Sequence, residues 1–189
     1  MAIIGNLQVY GIVNKAIEEL VLSLSGPEGW NKVCALAEID PFTFVTLERY
    51  DDTLTFKLVG ACAEVLGISA DEVLVSFGRY WSRYTGQQGY AHMFSMLGND
   101  LFSFLQNLPS LHDHLTLVFP DMVMPRFETV ALDERRLHVA YRSERSGLAA
   151  MVHGLLEGMA EVYGQPVTVT RLQRKGEGAD HDLFEVVLQ

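Results

Sequence analysis

RFETVALDERRLHVAYRSERSGLAAMV, Arg126–Val152, changes period along its length, and the fold class follows from that change. MPRFETVAL and RRLHVAYRS alternate apolar and polar residues, the period of half-buried strands, and ALDERR joins them as a hairpin turn. In SERSGLAAMVHGLLEGMAEVYG the apolar spacing becomes helical, for about five turns. QPVTVTRLQR and HDLFEVVLQ then read as two more strands, joined through GEGAD. Upstream, Val9 to about Phe119 is mostly helical, with Val9, Ile12, Val13, Ala16, Ile17, Leu20, Val21 and Leu24 on one stripe. SGPEGW ends that helix and starts another with Pro27 near N1, Gly67 stops a later one, and Ser69 with Glu72 forms a capping box. Gly89–Leu97 and Asp100–Asn107 read as further short helices. The expected class is α+β: a helical front half packed on a back half with a four-stranded antiparallel sheet and helices.

Composition narrows the function classes. The 189 residues are 49% hydrophobic and 20% charged, a globular balance. No apolar run approaches the roughly 20 residues that span a bilayer, and MAIIGNLQ lacks the basic start of a signal peptide. The net charge of −10, with no cluster of Lys or Arg, argues against nucleic-acid and anionic-membrane partners. Cys34 and Cys62 form no CxxC or CxxCH, so covalent heme attachment is not expected, and free thiols without a signal suggest a reducing cytoplasm.

NLPSLHDHL, Asn107–Leu115, holds two histidines two residues apart. If Asp100–Phe119 is largely helical, His112 shares a face with Leu105, Leu108, Leu115 and Phe119, whereas His114 shares one with Asn107, Ser110, Leu117 and Asp121. The two imidazoles point roughly 200° apart and cannot clamp one metal together. His112 is the inward one. An imidazole on an apolar stripe needs a partner. It is either a core histidine satisfied by a carbonyl or a single axial ligand to a metal carried by an apolar cofactor, as heme is commonly held. A zinc site would need further ligands, and His92, His138, His153 and His181 are scattered.

YRSERSGL, Tyr141–Leu148, lies where strand gives way to helix. If extended, Tyr141, Ser143 and Arg145 point to one side and offer a phenol, a hydroxyl and a guanidinium, a set suited to carboxylate or phosphate. Alternatively Ser143 or Ser146 caps the helix, Tyr141 packs and Arg145 is solvated.

Taken together, VYGIVNKAIEELV, YDDTLTFKLVGACAEVLG, FGRYW, FLQNLPSLHDHL, FP…MPRF and YRSERSGL resemble the H-NOX family, the heme nitric oxide/oxygen-binding domain of bacterial gas sensors and of soluble guanylate cyclase. The likeness runs over nearly the whole chain from Val9, which stands where the family commonly begins with Met. It implies a single domain over 1–189, with a helical distal subdomain over about 9–70, a proximal subdomain over 71–189, and heme between them. By the same resemblance His112 would ligate a non-covalent heme b, Tyr141, Ser143 and Arg145 would hold its propionates, and Pro125 would press on the porphyrin. From the residue alone, Pro125 reads as a strand-edge or turn proline. Trp81 aligns with a distal-pocket position, though it reads equally as a core aromatic. Met151 would line the pocket or simply fill core. Tyr10, Tyr80 and Tyr84 are further donors of unfixed direction.

Oxygen-binding members carry a distal tyrosine nine residues after the tyrosine of YxSxR. That position is Ala150 here, followed by Met151, and neither side chain donates a hydrogen bond. The resemblance therefore implies a nitric oxide sensor, also binding carbon monoxide in vitro, that signals by release of His112. Its partner would be a histidine kinase or a diguanylate cyclase. Alternatives are an oxygen-binding member, or a heme domain cut from a larger cyclase or chemotaxis receptor. No nucleophile–base pair, carboxylate dyad or P-loop suggests an enzyme. Peroxidase-like or nitric oxide-consuming chemistry would want a distal base, and a heme-free scaffold of the same fold is the structural rival.

Overall fold

The computed structural model describes residues 7–40, 44–87, 91–119 and 122–189. The expected helix start at Gly89, most of MAIIGNLQ, Pro120 and Asp121 lie outside them. Chain contacts divide the protein into two units, Met1–Phe77 and Gly78–Gln189.

In the first unit, strand β1 (Gln8–Tyr10) pairs antiparallel with β2 (Arg49–Asp51), and helix α1 (Gly11–Ala37) packs on α2 (Asp52–Leu66). The stretch from Val9 to about Phe119 is mostly helical, as expected; the two-stranded ribbon is an addition the pattern does not show. Each strand has only three residues, too short to show a period of two. α1 is kinked where SGPEGW predicts a break: Gly26 adopts φ 68°, and Pro27, which lacks an amide hydrogen, follows it. Helix α2 ends at Gly67 in the left-handed conformation, as expected. Ile17, Val21, Val33, Cys34, Leu58 and Cys62 are buried.

Helix α3 (Ala70–Gln87) runs across the division between the units. It opens on the expected capping box: Glu72 N–H donates to Ser69 Oγ at 3.2 Å, and Glu72 Oε2 accepts from Ser69 N–H at 2.8 Å. The second unit continues with α4 (Ala91–Leu97), α5 (Leu101–Val118), β3 (Arg126–Ala131), β4 (Arg136–Arg142), α6 (Ala149–Val162), β5 (Val167–Gln173) and β6 (Asp182–Leu188). The four strands lie in the order β3-β4-β6-β5, all antiparallel. This is the mixed helix-and-sheet class expected, with the sheet late in the chain. Leu137, Val139, Phe184 and Val186 point from the central strands into a core closed by Leu101, Phe104 and Leu105 of α5 and by Val152, Leu156 and Met159 of α6.

Two local expectations need correcting. The helix at Asp100 does not stop at Asn107 but runs through Pro109 to Val118, with Asp100 as its N-cap accepting from Ser103 N–H at 2.8 Å. Pro109 sits eight residues past the helix start, where it removes one hydrogen bond without ending the apolar stripe that holds the helix down. The helix after YRSERSGL is shorter than five turns. Its N-cap is Leu148, without a side-chain cap bond, so neither Ser143 nor Ser146 caps it. Ser143 is engaged elsewhere, by the backbone of Arg145.

Helices α3 and α6 touch through glycines. A Cβ at Gly78 would collide with the carbonyl of Met151 and lie 2.7 Å from Leu155 N; one at Gly158 would lie 2.8 Å from both Arg79 Cα and Ser82 Cβ. Ser82 is fully buried there, its hydroxyl donating to Leu155 O at 3.0 Å. Arg79 Nη2 pairs with Glu157 at 2.8 Å beside the crossing.

Candidate functional site

The apolar stripe of α5 places His112 as its periodicity requires. Leu105 is buried, Leu108, Leu115 and Phe119 are partly buried, and His112 is itself partly buried. His114 turns to solvent, its Nδ1 donating to Ser110 O at 2.7 Å. His112 Nδ1 lies 3.1 Å from the carbonyl oxygen of Pro125. A carbonyl can only accept, so Nδ1 carries the proton and the lone pair resides on Nε2. Burial holds the His112 imidazole below its usual range, more strongly than the Pro125 bond raises it. The side chain is therefore neutral near pH 7, and among the described residues Nε2 has no hydrogen-bond partner. A neutral imidazole with one nitrogen anchored to a carbonyl and the other open is the state a metal ligand requires.

Phe127 connects this histidine to the second constellation. Its ring centroid lies 5.3 Å from that of His112 and 5.3 Å from that of Tyr141, opposite which it sits in the β3–β4 register. Tyr141 points into the core, and burial raises its phenol; the hydrogen bond from Ser143 and the charge of Arg145 work against that rise. Past Arg142 the chain bends, and Arg145 N–H donates to Ser143 Oγ at 3.1 Å. The Arg145 guanidinium reaches the segment before β3, with Nη1 donating to Val123 O at 2.8 Å. Residues 122–125 are thus held from two sides, by Arg145 at Val123 and by His112 at Pro125. The structure brings His112, Pro125, Tyr141, Ser143 and Arg145 together. The contributions of Phe127 and of the Val123 carbonyl were not foreseen, because a ring's place in a sheet register and a main-chain acceptor leave no mark in a residue pattern.

Trp81 and Met151 fall in another group, at the α3–α6 crossing. Trp81 is partly buried and stacks on Tyr84 at 6.0 Å and 24°, and Tyr80 also stacks on Tyr84, at 6.0 Å and 29°. Met151 is partly buried, and its carbonyl lies against Gly78, three residues before Trp81. Ala150 is also partly buried. Among the described residues, no group of three or more His, Cys, Asp or Glu side chains could hold a metal ion. A metal at His112 would need its other ligands from a cofactor, and the phenol, hydroxyl and guanidinium beside it suit the carboxylates of such a cofactor. The residues present fit heme on both counts. No helix among the described residues is long and apolar enough to cross a membrane.

A family model described as Haem-NO-binding matches residues 10–171. Soluble guanylate cyclase 89Db of Drosophila melanogaster is 26% identical over 170 residues, which cover 89% of this chain and 25% of that protein. The chain thus spans about a quarter of the length of such relatives. In fold it is similar to an H-NOX protein from S. oneidensis in the Fe(II)NO state, with TM-score 0.84, 20% identity, and 96% and 99% of the two chains covered. An oxygen-binding H-NOX domain related to soluble guanylate cyclases superposes with TM-score 0.80 at 18% identity, covering 96% of this chain and 95% of its own.

Proposed function

Because the chain belongs to the Haem-NO-binding (H-NOX) family, we propose that it senses nitric oxide at a non-covalent heme b ligated by His112. The observation that carries this reading is the state of His112: neutral, anchored through Nδ1 to Pro125, and open at Nε2. Heme held by His112 would supply a ferrous iron able to bind a diatomic gas. Tyr141, Ser143 and Arg145 hold the propionates, Pro125 sets the position of the histidine and bears on the porphyrin, and Trp81 and Met151 line the gas side. Ala150 and Met151 present no side-chain donor to a bound gas. Such a donor is what oxygen needs and nitric oxide does without, so the site favours nitric oxide.

His112 is also the signalling element. A displacement of His112 would be passed by its Nδ1 bond into residues 122–125, which Arg145 grips at Val123. That segment leads directly into β3. A ligand acting this way shifts a two-state element through a contact present in one state only. The recipient is a partner protein such as a histidine kinase or a diguanylate cyclase, or an output domain of the cyclase kind carried by the longer relatives, and the setting is the cytoplasm.

Absorption spectra of the reduced protein under argon, then air, then nitric oxide test the proposal. A spectrum unchanged by air and converted by nitric oxide supports it. The stacked Trp81, Tyr84 and Tyr80 give oxygen sensing its one structural argument, because they carry N–H and O–H donors on α3. A stable new spectrum in air would favour that reading. Absence of a Soret band after heme addition would return His112 to a core histidine satisfied by Pro125.

A further inference from the structure

Lys175 lies in the connection between β5 and β6, far in sequence from the YxSxR motif, yet its Nζ donates to the carbonyl of Ser143 at 2.5 Å. Its placement is built rather than incidental. Gly176 and Gly178 adopt φ 92° and 81°, a conformation open to glycine, and fold the loop tightly back. Lys175 N–H is fixed at 2.9 Å by Asp182 Oδ1, a carboxylate only 4% exposed. Asp182 is already paired with Arg171, through Nε at 3.1 Å and Nη2 at 2.5 Å, so it pins the backbone of Lys175 without forming an ion pair with its ammonium. Among the described residues the ammonium has one acceptor, a neutral carbonyl, and no carboxylate partner. An ammonium has three donors. Lys175 thus brings a positive charge onto the main chain of Ser143, the residue whose hydroxyl accepts from Arg145 N–H, with ammonium donors left over for an anion at that segment.

We infer that Lys175 is a fourth member of the carboxylate grip: it fixes the Ser143 main chain and presents its remaining N–H bonds to a heme propionate, while Asp182 and Arg171 act as positioning residues. This rests on the reading of Tyr141, Ser143 and Arg145 as propionate ligands.

The test is the rate at which the ferric protein, reconstituted with heme or with heme dimethyl ester, loses its cofactor to excess apomyoglobin. For heme, Lys175→Met is expected to lose it roughly three- to tenfold faster than wild type, the effect of one charge-assisted contact, and Lys175→Arg to stay close to wild type. For the dimethyl ester, which has no carboxylate, wild type and Lys175→Met are expected to be equal. Thermal unfolding of the heme-free variants, expected to match wild type, shows that accelerated loss is not unfolding. Equal rates for Lys175→Met and wild type with ordinary heme would overturn the inference, and so would faster loss of both cofactors, which would mean the lysine only shapes its loop. If wild type itself releases heme and the ester at the same rate, the propionate reading of the whole motif fails, and the role of Lys175 fails with it.

Discussion

Gly158→Ala should destabilise the second unit, although alanine is the better helix former. The added methyl would lie 2.8 Å from Arg79 Cα and Ser82 Cβ and 2.9 Å from Arg79 O, and none of these atoms is the far end of a flexible side chain. Helices α3 and α6 would have to part by about half an ångström or more, an overpacking strain on the order of 2–3 kcal/mol. Parting also breaks the bond from buried Ser82 to Leu155 O, now 3.0 Å, for about 1 kcal/mol. Alanine's helix propensity returns about 1 kcal/mol, leaving a net loss of about 2–3 kcal/mol. At about 2–4 °C per kcal/mol for a chain of this size, the melting temperature falls by roughly 5–10 °C. Gly60→Ala is the matched control: Gly60 is exposed on α2, a Cβ there meets nothing within 4 Å, and the change should stabilise by about 0.5–1 kcal/mol. Urea unfolding of the heme-free protein followed by circular dichroism reads both. A Gly158→Ala protein as stable as wild type would refute the close helix crossing.

Three further outcomes follow from other parts of the molecule. Burial pushes the thiols of Cys34 and Cys62 up to about 11 and about 12, so neither should react with an aromatic disulfide reagent at pH 8 until guanidinium unfolds the chain; prompt reaction of the native protein would contradict their burial. The imidazole of His112 is lowered in the folded state, so its contribution is fully present above the unfolded value near 6.5 and is lost as pH falls, because only the unfolded chain then takes up the proton. The urea midpoint of the heme-free protein should therefore drop between about pH 7.5 and 5.5, less steeply for His112→Leu, and an equal slope in the two proteins would disprove the assignment. Ala150→Tyr supplies the donor the site lacks and should let the reduced, heme-loaded protein hold oxygen in air; an unchanged spectrum in air would show that this position does not face the gas.

What could be read in the sequence was local. The Ser69–Glu72 box, the stop at Gly67 and the opposite facing of His112 and His114 each depend on residues within a turn or two, and each appears as expected. The hairpin of β3 and β4 is legible for the same reason. Hidden features rest on partners distant in sequence. The β1–β2 ribbon joins Val9 to Tyr50, segments too short to show their period. Phe127 meets His112 only because the register sets it opposite Tyr141. The Pro125 carbonyl is a main-chain group that any residue would offer, and Lys175 looks like one more charge in a polar turn until the β5–β6 connection folds it onto Ser143. Helix α6 begins at Ala149 and not within SERSGL, where Arg145 N–H bonds to Ser143 Oγ; Ala149 and Val152 of its first turn are buried in the core.

Release of His112 is the central claim, and electron paramagnetic resonance of the reduced, heme-loaded protein treated with nitric oxide addresses it directly. Hyperfine splitting from the nitrogen of nitric oxide alone is the predicted result, since an imidazole that has left the iron contributes none. Additional splitting from a histidine nitrogen would mean that His112 stays bound, and the signal would then have to leave the site by some route other than α5 and the Pro125 bond.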